Sequence, residues 1–208
     1  LVPPGMANYV SDLPREDFAD WPLARRQREA RRLLAEAGFG PGNPLRLEIK
    51  HRNSDDPSLF MPAVQADWAA VGVQATLAKN DVQIAYQSYR IRDFDVADAS
   101  WIADFNDAKS FLDLQQSQTG QQNYGDYANP RYDALLAAAD RAPDAAARAR
   151  LMAQAEQMML EDAPIAPLYH LVNKNLVGPA VDGWRDNIVD QHRTRWLCPR
   201  GGRAASAR

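Results

Sequence analysis

Cysteine is nearly absent: Cys198 is the only one in 208 residues, which excludes an intrachain disulfide and any multi-cysteine zinc site. No apolar run approaches the roughly 20 residues needed to cross a bilayer, so no direct membrane insertion is expected. The amino terminus also lacks the basic start and apolar stretch of a signal peptide. Neither sign of charge is in excess. With 24 basic and 27 acidic residues the formal charge is −3, which gives no global reason to expect nucleic acid or an anionic membrane as partner. His51, His170 and His192 are widely separated, without His-Glu-x-x-His spacing. A Gly-x-Ser-x-Gly elbow, a phosphate loop and internal repeats are all missing, so no metal or nucleotide cofactor is expected. What remains is a chain of 46% hydrophobic residues, ordinary for a globular protein and enough for one good core or two modest ones.

The first half alternates helical and strand patterns. Leu23 to Ala37 reads as a helix, because Ala30, Leu33, Leu34 and Ala37 follow an i, i+3, i+4, i+7 stripe, with Pro22 at its start and Gly38 as a stop. Its five arginines, Arg25, Arg26, Arg28, Arg31 and Arg32, fall largely off that stripe and read as a solvated face beside Glu29. A Gly-Pro-Gly-Asn-Pro turn leads into a strand at Leu45 to Ile49. Pro57 opens a second helix whose apolar stripe of Phe60, Val64, Trp68 and Val71 reads as core, ended by Gly72. Val73 to Leu77 reads as a strand, Asp81 as the cap of a helix bearing Ile84, Ala85 and Tyr89, and Phe94 to Ala99 as a further strand. This β-α-β-α-β order predicts an α/β fold with parallel strands, right-handed crossovers and a ligand crevice at the strand ends.

The second half turns helical. Short helical structure is expected at Ser110 to Gln115, then helices at Pro130 to Arg141, capped by Asn129, and at Asp144 to Glu161, whose Leu151, Met152, Ala155, Met158 and Met159 form a core stripe. The polar stretch from Gln115 to Tyr127 is a solvent loop or a pocket rim, with Tyr124 a candidate contact. Ile165 to Val172 reads as a strand confined to an edge by Pro164 and Pro167, and Lys174 to Val177 as its continuation past a bend. The small, basic stretch from Gly201 to Arg208 is expected to be disordered.

The most informative segment is Trp101 to Leu114, WIADFNDAKSFLDL, which puts a tryptophan three residues before an aspartate at the end of a strand. An aspartate is ionised at neutral pH, and a neighbouring indole excludes water and offers its face to a cation, so the pair suits an ammonium group. The alternative is local: a Trp in core or rim packing and an Asp before Asn106 in a turn or cap. Paired carboxylates at Asp104 and Asp107, or at Glu161 and Asp162, could divide acid and base roles in an enzyme. The second pair sits at a helix end, where adjacent residues diverge, and no enzyme activity is expected.

The stretch FDVADASWIADFNDAKSFL, together with ARRLLAEAGF at Ala30 to Phe39, NPRYDALLA at Asn129 to Ala137 and AEQMMLEDAPIAPLYHLVNKNLVGP at Ala155 to Pro179, resembles the periplasmic solute-binding proteins of peptide ABC transporters, extracellular solute-binding protein family 5. The resemblance implies a periplasmic-binding-protein type II-like lobe, a mixed sheet with flanking helices. It implies that Asp104 holds the α-amino group of a short peptide while Trp101 borders a side-chain pocket, with Ala103, Phe105, Asn106, Asp98 and Tyr124 as further candidate contacts. At Asp98 some relatives carry an arginine able to meet a carboxylate, and at Leu171 a pocket tyrosine can occur, so the carboxylate end is unassigned.

On the same resemblance the chain is expected to be a carboxy-terminal fragment of a secreted precursor. Residues 1–172 would be the ligand-binding lobe, 173–200 a return across the hinge and 201–208 the tail. Its partners would be the solute and an ABC permease in the inner membrane. A non-peptide solute (an opine, a metal chelate, a glycoside or a cationic metabolite) and a protein-interaction module stay open as alternatives.

Overall fold

The computed structural model describes residues 1–187 and 190–201, leaving aside the side chain of Asp55. Helix α1 spans Leu23–Glu36, and Gly38 adopts φ +87°, a conformation that stops the helix cheaply only in glycine. Strand β1 (Arg46–Arg52) runs longer than the alternation suggested and is followed by α2 (Asp55–Ala69), β2 (Gln74–Asn80), α3 (Val82–Arg90) and β3 (Val96–Ala97). The strands are parallel in the order β2-β1-β3, with Ile49 opposite both Leu77 and Val96. The expected α/β class and parallel β-α-β-α-β order are therefore present. The sheet that carries the strand ends is purely parallel; among the described residues antiparallel pairing joins β4 (Val181–Asp182) to β5 (Cys198–Pro199) and forms an isolated bridge between Gly40 and Asn43.

Between β3 and Asp162 the regular structure is helical: α4 (Lys109–Leu112), α5 (Pro130–Asp140) and α6 (Ala145–Asp162). Asn129 and Asp144 cap α5 and α6, accepting from the main-chain N–H groups of Arg131 at 3.0 Å and Ala147 at 2.7 Å. Phe111 and Leu112 of α4, Tyr132 and Leu136 of α5, and Met152, Ala155 and Met159 of α6 pack with Val2 and Met6 into one buried cluster. The methionine stripe is thus core. Glu156 lies inside that cluster, accepting from the main-chain N–H of Val2 at 2.8 Å and from the Tyr9 hydroxyl, which pins the opening segment to α6.

Two expectations fail, the core packing of the α2 stripe and the late strands. The apolar stripe of α1 is not buried: Leu33 is 52% exposed, and no residue of the helix reaches the core. The stripe of α2 is only half-buried, and the helix turns Pro57 and Met61 fully inward instead. Secondly, Ile165 to Val172 and Lys174 to Val177 form no strand, because no strand among the described residues runs beside them to pair with their backbone. Leu168, Leu171, Val172 and Leu176 are exposed there. Apart from Gly201, the expected disorder of the tail lies outside the described residues.

Candidate functional site

The carboxyl ends of the parallel strands form one edge of the molecule, and Trp101 and Asp104 follow β3 at that edge. Trp101 is half-buried, lying with Ala103 against the helical core. The loop between them is tied by Ser110, whose buried Oγ accepts from the main-chain N–H of Asp104 at 2.9 Å and, over a longer 3.4 Å, from Nε1 of Trp101. The carboxylate of Asp104 is exposed and makes no hydrogen bond or ion pair among the described residues. It is neither a cap nor half of a salt bridge.

The neighbouring polar groups are spent on structure. Asn106 Oδ1 accepts from the main-chain N–H of Ala7 at 2.9 Å, and Phe105 is exposed beside it. Asp107 takes both guanidinium nitrogens of Arg148, at 2.7 and 2.9 Å, and also the Lys109 N–H. Burial works against its charge, but the bonds to Arg148 and Lys109 outweigh it and hold its carboxyl below the usual range. Asp162 accepts from Tyr127 and Asn129, and those bonds likewise lower its carboxyl. Neither the Asp104–Asp107 pair nor the Glu161–Asp162 pair therefore offers two unengaged carboxylates.

Asp98 corrects the sequence reading most directly. It is 4% exposed and faces inward. The ladder bond from its N–H to the Lys50 carbonyl sets it alongside Arg52. There it accepts from the Arg52 main chain at 2.7 Å, from Nε at 2.9 Å and from Nη2 at 2.6 Å, and from the Tyr89 hydroxyl at 3.1 Å. Its lone pairs are taken, and no direct contact with a ligand remains available to it.

Tyr124 is half-buried against Tyr86 and Tyr89 of α3, with ring centroids 6.4 and 5.7 Å away, and its hydroxyl pKa is raised by burial and by Tyr86. It belongs to the aromatic wall around Arg52, on the same strand-end edge. Leu171 is exposed on the unpaired segment.

Sequence reasoning missed Ser110, Arg52, Tyr86 and Ser100. Ser110 had a faint signal, a serine opening a helix six residues after Asp104; Arg52 had none, since the strand was read to end at Ile49 and reaches Arg52 only in the structure.

Two open depressions mark the surface, away from the strand-end loop that carries Asp104. An open depression of about 420 Å³ is lined by Asn53, Ser54, Ser58, Leu59 and Lys79, and another of about 290 Å³ by Arg131, Ala134, Leu135 and Met158. Neither includes Asp104, which is exposed, or Trp101, which is half-buried against the core.

Residues 1–123 match the bacterial extracellular solute-binding proteins, family 5 Middle. The chain belongs to that family. Among family 5 relatives, the periplasmic oligopeptide-binding protein OppA of Salmonella typhimurium is 34% identical over 173 residues, covering 83% of this chain and 32% of its own. The unliganded open form of MppA, a periplasmic murein tripeptide-binding protein, superposes with a TM-score of 0.82 at 30% identity, over 93% of this chain and 38% of that one. Haemophilus influenzae OppA in complex with RPPGFSPFR gives 0.79 at 31% identity, over 90% and 37%. The likeness makes the fold that of a type II periplasmic binding protein. The chain spans about a third of the length of these family 5 proteins.

Proposed function

We propose that this chain forms the ligand-binding lobe of the substrate-binding component of an ABC importer. In this reading it captures short peptides in the periplasm by their α-amino group and presents them to a permease in the inner membrane. The observation that carries the reading is the carboxylate of Asp104: unpartnered among the described residues, held on a loop tied to Ser110 and placed beside Trp101 at the ends of parallel strands. A carboxylate that the fold orients but does not use is suited to an incoming ammonium, and the indole beside it adds a cation–π face. Relatives named as oligopeptide- and dipeptide-binding proteins support the same ligand class.

In this reading residues 1–172 act as one lobe, and the chain from 173 to 200 returns toward a second. The exposed apolar side chains of Leu171, Val172 and Leu176 on an unpaired, extended segment suit an adjoining lobe. Closure of the two lobes around the peptide supplies the mechanism. Contacts made on both sides favour the closed state, and only that difference in binding free energy shifts the equilibrium. Asp104 lies open on this lobe for the same reason: the opposing surface is what would dehydrate it. No covalent chemistry is assigned to any residue.

Isothermal titration calorimetry on the complete two-lobed protein tests the reading with short peptides carrying free or acetylated amino termini. Acetylation, or Asp104→Asn, is expected to weaken binding by about ten- to a hundred-fold, the worth of one charge-assisted hydrogen bond. Unchanged affinity on either would remove the amine anchor.

A further inference from the structure

Resting on the peptide-binding reading, we propose that Asp98 is a positioning residue that sets specificity: it cancels the charge of Arg52, so that the surface beside Trp101 takes a neutral carbonyl of the ligand and does not require a free carboxylate.

Arg52 ends the central strand β1, at the edge where Ser100 and Trp101 follow β3. Its side chain is 15% exposed and that of Asp98 2%. Nε and Nη2 are both engaged by Asp98 Oδ2, and Nη1 donates to the Tyr86 and Ser100 hydroxyls at 3.0 Å each. A hydroxyl oxygen that accepts from a guanidinium keeps its own proton for donation. Neither hydroxyl has another partner among the described residues, and Ser100 is exposed.

The exposed Ser100 hydroxyl next to Trp101 and the partly buried Tyr86 hydroxyl are therefore O–H donors polarised by a buried ion pair of zero net charge. The aromatic side chains behind it are neutral: Tyr89 and Tyr124, packed on Tyr86, have hydroxyl pKa values raised by burial, and the further cation near Tyr124 is Arg90. Two hydroxyl donors match the two lone pairs of a carbonyl oxygen. A carboxylate could use the same donors, but Arg52 would offer it no uncompensated positive charge. With an uncharged residue at position 98, the same guanidinium would be a bare cation and would favour a carboxylate.

The test compares matched peptides, each as free acid and as carboxamide, by calorimetry on the complete two-lobed protein. The two forms are expected to bind within about threefold of each other, and their ratio is expected to be flat with salt, because an uncompensated charge would show screening. Asp98→Asn is expected to shift the ratio by about tenfold or more toward the free acid. A merely structural role for Asp98 would lower both affinities together and leave the ratio alone. A cation other than Arg52, such as Lys79 or Arg90, contributes equally with and without the substitution and drops out of the change in ratio between wild type and variant.

A wild-type preference for the free acid of about tenfold or more would overturn the proposal, whether or not the variant folds. So would an unchanged ratio in folded Asp98→Asn. Absence of peptide binding, or binding indifferent to acetylation, would instead overturn the peptide reading beneath it.

Discussion

The hydroxyl of Ser110 accepts the main-chain N–H of Asp104 at 2.9 Å, so a buried side chain at the start of α4 fixes the backbone of the residue that carries the free carboxylate. The same oxygen lies 3.4 Å from Nε1 of Trp101. Site and core are joined through one atom.

Ser110→Ala removes that acceptor and leaves a partly buried N–H without its partner. Urea denaturation is expected to show a loss of about 1–2 kcal/mol. Calorimetry on the complete protein is expected to show weaker peptide binding, although Ser110 touches no ligand. Full stability with full affinity in the variant would show that the loop is fixed by something else.

The Asp107–Arg148 pair predicts an acid dependence. Its two bonds, at 2.7 and 2.9 Å, tie the Asp104 loop to α6, and with the Lys109 N–H they lower the folded-state pKa of Asp107 below the unfolded value. A lowered folded value means that the stabilisation is fully present above the unfolded pKa of about 4 and is lost as pH falls through the folded one. Asp107→Asn is expected to cost about 1–2 kcal/mol near neutral pH, since the pair is only partly buried, and to flatten the fall of the urea midpoint below about pH 4. A variant with the wild-type acid slope would assign that slope to other carboxylates.

Ala163 ends α6 in the left-handed region, at φ 51° and ψ 43°, its N–H bonded to the Met159 carbonyl at 3.0 Å. A side chain there crowds the following carbonyl, and glycine does not. The side chain is exposed, so nothing packed is lost on removing it. Ala163→Gly is expected to stabilise the chain by about 0.5–1 kcal/mol after the entropy of a more flexible unfolded chain is set against the relief. A lower melting temperature would refute it.

Helices α5 and α6 were legible because their signals are local. Asn129 and Asp144 cap within three residues, Pro130 opens α5, and the Met152–Ala155–Met159 stripe repeats at helical spacing. The α1 stripe has the same spacing but stays exposed, since periodicity says which face is apolar and not whether anything covers it. Ile165 to Val172 has strand composition but no partner, and pairing is a property of two segments.

Asp98 shows the same limit at the site. Its role depends on Arg52, 46 positions earlier, brought alongside only by the register of β3 on β1. Trp101 and Asp104, by contrast, are close because they are close in sequence.

The sequence by itself determined the α/β order, the capped helices and the loop on which an indole and a carboxylate stand together, because these follow from periodicity, turn chemistry and short spacing. Only the tertiary structure decided which carboxylates are free. Asp98 and Asp107 are claimed by guanidinium groups from distant parts of the chain, while Asp104 meets none among the described residues. The reason is that a charge is neutralised by whatever the fold brings within hydrogen-bond reach, and that distance exists only once the strands and helices have packed.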